Sequence, residues 1–256
     1  MIDKEKVKDN FSQAVNSYEE HAVVQKYMAK KLLEMIEEEE KAAEILEIGA
    51  GTGLCTERSI ISFPQSNHLL VDISPAMINK CRKKFAEQSK IDFLTADAEN
   101  LALDKKFDLI LSNAAVQWFK NLAQTMERLL DHLTREGKMY FSTFGPKNFK
   151  ELRDCFKDIF KSSFSQRFLS KREIEDVIAQ YCTKVNIKEE EYREKFATAY
   201  DFLQATKKIG ANSAKKDKPK LTPNRLRRLE ELYEDRYSEA GEIIVTHHLL
   251  FVEVQK

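Results

Sequence analysis

The 256-residue chain is long enough to bury the core of one large α/β domain, and its 42 lysines and arginines balance 42 aspartates and glutamates. That balance excludes a chain-wide bias toward nucleic acid or an anionic membrane, so any such preference must be local. Cys55, Cys81, Cys155 and Cys182 form no CxxC pair and have no histidine at metal-ligand spacing, so no metal site is expected and the thiols read as reduced.

At the start, "MIDKEKVKDNF" has no apolar core of signal-peptide length, and no apolar run of membrane-spanning length follows. A soluble, cytoplasmic protein is expected. Helical spacing puts Val7, Phe11, Ala14, Val15 and Tyr18 on one side, then Val24, Met28, Leu32, Met35 and Ile36 after a break near His21, which predicts two helices. Glu37 to Glu40 read as a solvated helix end.

From Glu44 the texture changes to short apolar runs: "EILEIGAG", "NHLLVDIS", "IDFLTAD", "FDLILSNA" and "GKMYFSTF". Helices starting near Leu54, Pro75 and Leu122 separate them, the βαβ alternation of a parallel sheet covered on both faces. The link "AENLALDKK" is too short to be assigned a helix. Beyond Asn148 the pattern predicts a helix to about Phe160, another near Lys171 to Ala179, and a strand "KVNIKEEEYREKF" of imperfect alternation. Thr222-Pro223 opens a helix with Leu226, Leu229, Leu232 and Tyr233 on one stripe, and "EIIVTHHLLFVEV" closes as a long strand.

Gly49, Gly51 and Gly53 in "EIGAGTG" lie between the first strand and its helix. Such a turn needs positive φ and lets a ligand touch backbone, though close strand-helix packing explains it equally. A dinucleotide fingerprint wants a third glycine where Leu54 stands, which argues against a pyrophosphate. Asp72 ends the second strand, where a carboxylate can accept both ribose hydroxyls; its other role, capping the next helix, is already filled by Ser74. Asp97 follows the third strand, placed for an adenine amino group. All three features sit at carboxyl ends of consecutive strands.

"EIGAGTG", "VDIS", "ADAENL", "FDLILSNAAVQWF" and "GKMYFSTF" resemble, in order and spacing over residues 44–145, the class I methyltransferases that use S-adenosylmethionine. The resemblance implies a site with Glu47, Gly49, Gly51 and Gly53 at the methionine part, Asp72 and Ile73 at the ribose, Met77, Asp97 and Ala98 at the adenine, and Asn113 beneath the sulfonium. It also implies a Rossmann-like fold, expected here as a seven-stranded, mostly parallel sheet with helices on both faces. Residues 41–196 would form that core and 242–256 its final strand. Residues 1–40 and a basic segment, 197–241, would form a helical lid.

In-line transfer from a sulfonium needs alignment and a dry site, with a base only if the acceptor carries a proton. Bases are scarce: His68, His132, His247 and His248 read as strand or helix residues, leaving His21 near the site, and no Asp/Asn-Pro-Pro-aromatic motif of amino-group methyltransferases occurs. An acceptor already anionic, such as a carboxylate, suits this. Trp118, the single tryptophan, either caps the core beside Phe119 or offers an N–H that holds a carboxylate oxygen without titrating. Tyr18 and Gln25 in "SYEEHAVVQ" either close the site, Tyr18 near the cofactor and Gln25 toward the acceptor, or serve packing.

Residues 207–228 concentrate nine lysines and arginines against Asp217, most simply a solvated face, otherwise a dock for an acidic partner. The run carries few aromatics to stack bases, which favours a protein over RNA. Nearly the whole chain, through "FSQAVNSYEEHAVVQ", "SNAAVQWF", "RFLSKREIEDVI", "TKKIGAN", "LTPNRLRRLEELY" and "VTHHLLFVEV", resembles the malonyl-[acyl-carrier protein] O-methyltransferases of biotin synthesis, the BioC family. That resemblance implies methylation of a free malonyl carboxylate on acyl carrier protein, with Arg167, Lys207, Lys208, Arg225 and Arg228 toward the carrier or the malonyl end. The glycine turn departs from the family's D-x-G-C-G-x-G at Glu47 and Ala50, and residues 214–220 are richer in lysine than their counterpart. Two other functions stay open: a methyltransferase for another small acid or malonyl-coenzyme A, and a noncatalytic adaptor that kept the fold. An RNA methyltransferase fits the composition least.

Overall fold

Apolar runs in the middle of the chain form strands buried on both faces, as the near-continuous hydrophobicity of "EILEI" and "FDLILSN" requires. The computed structural model describes residues 2–36, 41–160, 167–211 and 221–256; the acidic run 37–40 and the lysine-rich stretch 214–220 lie outside them. One sheet, in the order β3-β2-β1-β4-β5-β8-β6, organises the molecule. Its strands are β1 (Glu44–Ile48), β2 (Asn67–Asp72), β3 (Ile91–Thr95), β4 (Phe107–Asn113), β5 (Leu133–Phe144), β6 (Lys184–Phe196) and β8 (Glu242–Gln255), with β7 (Ser238–Glu239) pairing onto β8. β1 to β5 pair in parallel, and β8 runs antiparallel to both β5 and β6.

Successive residues of a strand face opposite sides of a sheet. Leu46, Ile48, Ile110, Met139 and Phe141 therefore meet helices α6 (Leu122–Asp131) and α8 (Lys171–Ile178) through Met126, Leu129, Ile174 and Ile178. On the other face Ile45, Leu109, Leu111 and Tyr140 pack on α3 (Val23–Leu33) through Val24, Met28 and Leu32. Met28 and Leu32 are fully buried, so truncating either to alanine would cost about 2–5 kcal/mol.

Helix starts follow local chemistry. The Ser74 hydroxyl accepts from the Met77 amide, with Pro75 opening α5 (Pro75–Lys84), and Ser170 with Glu173 forms a reciprocal capping box on α8. Asp97 likewise caps the short 3₁₀ turn Ala98–Asn100 in the link too short for a longer helix.

Three details differ from the sequence expectation. The N-terminal region folds as α1 (Lys4–Ala14), a single turn α2 (Tyr18–His21) and α3, because the chain breaks at both 15–17 and Ala22. β5 starts at Leu133, several residues before "GKMYFSTF", with a register shift opposite Phe107 and Leu109. The two-residue β7 is an addition to the seven strands expected.

The reversed strand also extends past its neighbour. β5 pairs with β8 from Leu249 to Gln255, whereas β6 continues along β8 to Ile243. This overhang supports α7 (Lys150–Phe160), α9 (Ala199–Lys208) and α10 (Pro223–Tyr237) through a core that includes Leu152, Phe202, Leu229, Tyr233 and Val245.

Candidate active site

Between β1 and α4 (Thr56–Ser62) the chain turns sharply, with φ of +69° at Gly49 and +57° at Gly51. A Cβ on Gly49 would lie 2.3 Å from Ala115 Cβ, whereas one on Gly51 would meet nothing within 4 Å. The Gly51 backbone thus faces open space at the carboxyl edge of the sheet, where α/β folds bind ligands. Gly53 serves packing instead, since a Cβ there would lie 2.4 Å from the Phe85 ring.

A chamber opens above this turn, of about 690 Å³ including its mouth. Its wall brings together Gly49, Gly51, Asp72, Ile73 and Met77 from the first two strand ends and α5, and Asp97, Ala98 and Asn113 from the next two. Asp72 Oδ2 accepts from the Gly51 amide at 2.9 Å and Oδ1 from the Ser74 amide at 2.8 Å. Burial raises its pKa above the ordinary value while these bonds oppose the rise. Each oxygen retains a lone pair for a further donor. Asn113 ties three elements together, its Nδ2 donating to the Gln25 carbonyl at 3.0 Å and its Oδ1 accepting from Ser142 Oγ at 2.7 Å.

Glu47 does not line the chamber. It lies on the face of β1 opposite Ile48, which does line it, and is buried where the Thr56 hydroxyl donates to it at 2.7 Å. Burial pushes its carboxyl up to about 8. α1 supplies a further wall of the chamber. Lys4, Val7 and Phe11 line the chamber, and Lys4 Nζ stands 2.9 Å from Asp97 Oδ1 and 2.7 Å from Glu99 Oε2.

A second chamber of similar size, about 700 Å³, adjoins the first, and Phe11, Tyr18, Ala114 and Trp118 line both. The indole follows the buried strand β4 because the 3₁₀ turn Val116–Trp118 places it in this shared wall. Its ring meets Phe11 edge-on at 5.7 Å, and its Nε1 is buried without a hydrogen-bond partner. Ala114 adopts φ of +51°, a strained conformation for alanine, with its amide donating to Ser142. The Tyr18 phenol is held protonated, its pKa raised by burial and by the Asp72 carboxylate.

Gln25 and His21 enter the second chamber from the N-terminal helices, as do Phe202, Ala205 and Ile209 from the α9 region. His247 lines it too, which corrects the expectation that His21 alone would stand near the site. The overhang of β8 carries it there, and its Nε2 lies 3.0 Å from Glu194 Oε2. Neither the sequence distance between these residues nor the strand pattern signals the pairing.

The basic residues scatter. Lys207 and Lys208 are exposed at the end of α9, next to chamber-lining Ala205 and Thr206. Arg167 lines a third hollow that shares Gln117, Phe144 and Phe168 with the second chamber, and it pairs with Glu173. Arg225 covers the Phe160 ring at 4.8 Å and Arg228 pairs with Glu231 at 3.1 Å, both on α10, which lines neither chamber because its apolar stripe packs on α7. Among the described residues no cluster of three metal-binding side chains occurs, and no helix is long and apolar enough to cross a membrane.

The Methyltransferase domain family model matches residues 45–137, the stretch that builds the first chamber. Malonyl-[acyl-carrier protein] O-methyltransferase 2 of Ilyobacter polytropus is 37% identical over 257 residues, covering 100% of this chain and 99% of the relative. The protein named malonyl-[acyl-carrier protein] O-methyltransferase in Bacillus cytotoxicus is 35% identical over 266 residues, covering 100% and 93%. Among solved structures, a putative methyltransferase of Bacillus halodurans superposes with a TM-score of 0.63 at 14% identity, covering 89% of this chain and 98% of its own. An S-adenosylmethionine-dependent methyltransferase of Thermotoga maritima gives 0.57 at 15% identity, covering 98% and 99%. The fold is that of the class I methyltransferases.

Proposed function

The chain belongs to the malonyl-[acyl-carrier protein] O-methyltransferase family, and from that membership we propose that it moves a methyl group from S-adenosylmethionine to the free carboxylate of a malonyl group on acyl carrier protein. The observation that carries the reading is the pair of chambers sharing one wall at Trp118, Tyr18, Phe11 and Ala114. A donor on one side and an acceptor on the other would meet there, in line and away from water.

The residues of the first chamber fit the donor. Gly51 offers bare backbone, Asp72 has lone pairs left for two hydroxyls, and Met77 and Ala98 present apolar surface beside Asp97. Asn113, fixed at both ends of its carboxamide, keeps the floor of the shared wall rigid. When bound, S-adenosylmethionine supplies a methyl carbon activated by an adjacent positive sulfur.

The chain's own part is to align and to shield. Trp118 Nε1 donates to one carboxylate oxygen and the other attacks, so no proton has to leave the acceptor and no base is consumed. Gln25 and the neutral Tyr18 close the wall around this pair. The product is an uncharged ester, and masking the acid lets chain-elongating enzymes treat the acyl group as an ordinary primer toward the pimeloyl precursor of biotin. Lys207 and Lys208, at the rim of the acceptor chamber, suit an acidic carrier; Arg225 and Arg228 would meet it only on the outer face of α10. The free thiols suit a cytoplasmic setting.

Mass spectrometry of malonyl carrier protein after incubation with the methyl donor tests this directly, with malonyl-coenzyme A and aconitate in parallel. A methyl ester on the carrier-borne group is the expected product. Preference for either free acid would make the enzyme a small-acid methyltransferase, and absence of S-adenosylmethionine binding by calorimetry would make the chain an adaptor.

A further inference from the structure

Buried polar atoms without partners cost stability, so a native fold that keeps several in one place is keeping them for something. Trp118 Nε1, His247 Nδ1, and both Nδ2 and Oδ1 of Asn148 are buried without hydrogen-bond partners, and all three residues line the acceptor chamber. Asn148 is 1% exposed. Its whole carboxamide is orphaned.

The backbone holds it there deliberately. Asn148 lies in the turn between β5 and α7, where its amide donates to the Gly145 carbonyl at 3.0 Å and the Phe149 amide donates to Thr246 of β8 at 2.8 Å. Phe149 pays for this turn with φ of +58°, and its ring meets His247 and Phe202 edge-on at 5.2 and 5.1 Å.

The kinds of atom presented differ between the two ends of the chamber. At the wall shared with the donor chamber, Trp118 offers a donor only, which suits a carboxylate. Asn148 and His247 line the acceptor chamber alone. The His247 ring meets Glu194 through Nε2 and leaves Nδ1 unpartnered, and the Asn148 carboxamide adds a donor and an acceptor. A carboxamide whose donor and acceptor are both unsatisfied, beside the Glu194 side chain, calls for a ligand with both a carbonyl and an N–H.

Resting on the reading that the acceptor is a carrier-borne thioester, we propose that Asn148 recognises the arm of that thioester, its Nδ2 donating to the carbonyl and its Oδ1 accepting from the N–H of the arm's nearest amide. This fixes the acyl group with its carboxylate toward Trp118. Asn148 is a specificity-determining residue.

The test compares wild type with Asn148→Leu on two malonyl carrier proteins, one with the natural arm and one whose amide nearest the thioester is replaced by an ester. Wild type should favour the natural arm roughly tenfold in kcat/KM. The leucine variant should lose that preference by falling on the natural arm, while its melting temperature without substrate stays level or rises because the orphaned atoms are gone. Equal losses on both arms, or a fall in melting temperature by several degrees, would overturn the assignment in favour of a structural role. Failure of wild type to methylate either carrier would instead overturn the thioester reading beneath it.

Discussion

The Lys4 ammonium lies 2.9 Å from Oδ1 of Asp97, joining the first helix of the chain to the end of its third strand. Glu99 at 2.7 Å and the Phe119 ring at 5.3 Å complete the cation's surroundings. α1 is therefore pinned over the first chamber by a charge placed at its first residue. Lys4→Met should raise the dissociation constant for S-adenosylmethionine by roughly tenfold, the value of a hydrogen bond between charged groups. Hydrogen exchange should quicken over α1 and stay unchanged in β1 and β4; equal protection of α1 in both proteins would refute the pin.

Trp118→Phe keeps the ring against Phe11 and removes only the N–H. Turnover at subsaturating malonyl carrier should drop roughly tenfold, while calorimetric affinity for the methyl donor stays within about twofold. Unchanged turnover would reduce the indole to packing.

Gly49 and Gly51 both have positive φ, yet only Gly49 meets a neighbour at 2.3 Å. Gly51→Ala should cost about 1–2 kcal/mol of backbone strain and still fold. Gly49→Ala adds a collision with Ala115, so its denaturation midpoint should fall clearly further. Similar midpoints for the two variants would show that the turn can yield.

Glu47 gives the stability a pH dependence. Its carboxyl ionises near 4.5 in the unfolded chain and only near 8 in the fold, so the folded state holds the extra proton between those values. Stability contributed by this group is therefore present below about pH 4.5, declines as pH rises, and is gone above about pH 8, at a slope of at most about 1.4 kcal/mol per unit. Glu47→Gln should match wild type in melting temperature near pH 5 and exceed it increasingly toward pH 8. A constant offset across that range would mean that the buried carboxyl stays ionised.

Reversing charge at Lys207 and Lys208 together should raise KM for malonyl carrier roughly five- to tenfold and leave a small malonyl thioester unaffected. Equal effects on both substrates would place the lysines in the fold rather than at a docking surface.

Strands β1, β2 and β4 were legible because burial on both faces writes itself as unbroken apolar sequence; Asp72 and Asn113 stand where two of those runs stop, and Asp97 just past edge strand β3. β6 was harder to read because it is an edge strand whose residues, buried Ile187 apart, are exposed or half-buried. Local pattern could not give the partners of distant residues. Nothing near Lys4 in sequence names Asp97, and nothing near His247 names Glu194. The family resemblance put Glu47 at the methionine part, whereas the pleat of β1 turns it to the side opposite Ile48, among residues that do not line the chamber. Asn148 was invisible as a candidate, since an asparagine after "FGPK" reads as a turn residue until its carboxamide is found dry.

The stretch of β8 before Leu249, paired with β6 and β7 but not with β5, divides the labour of the sheet. Parallel strands shape the first chamber, and this ledge, with the turn it braces, shapes the second. Substitutions along the ledge can therefore reshape the second chamber while the first is left intact, a modularity that makes this side of the fold the natural place for its descendants to diverge.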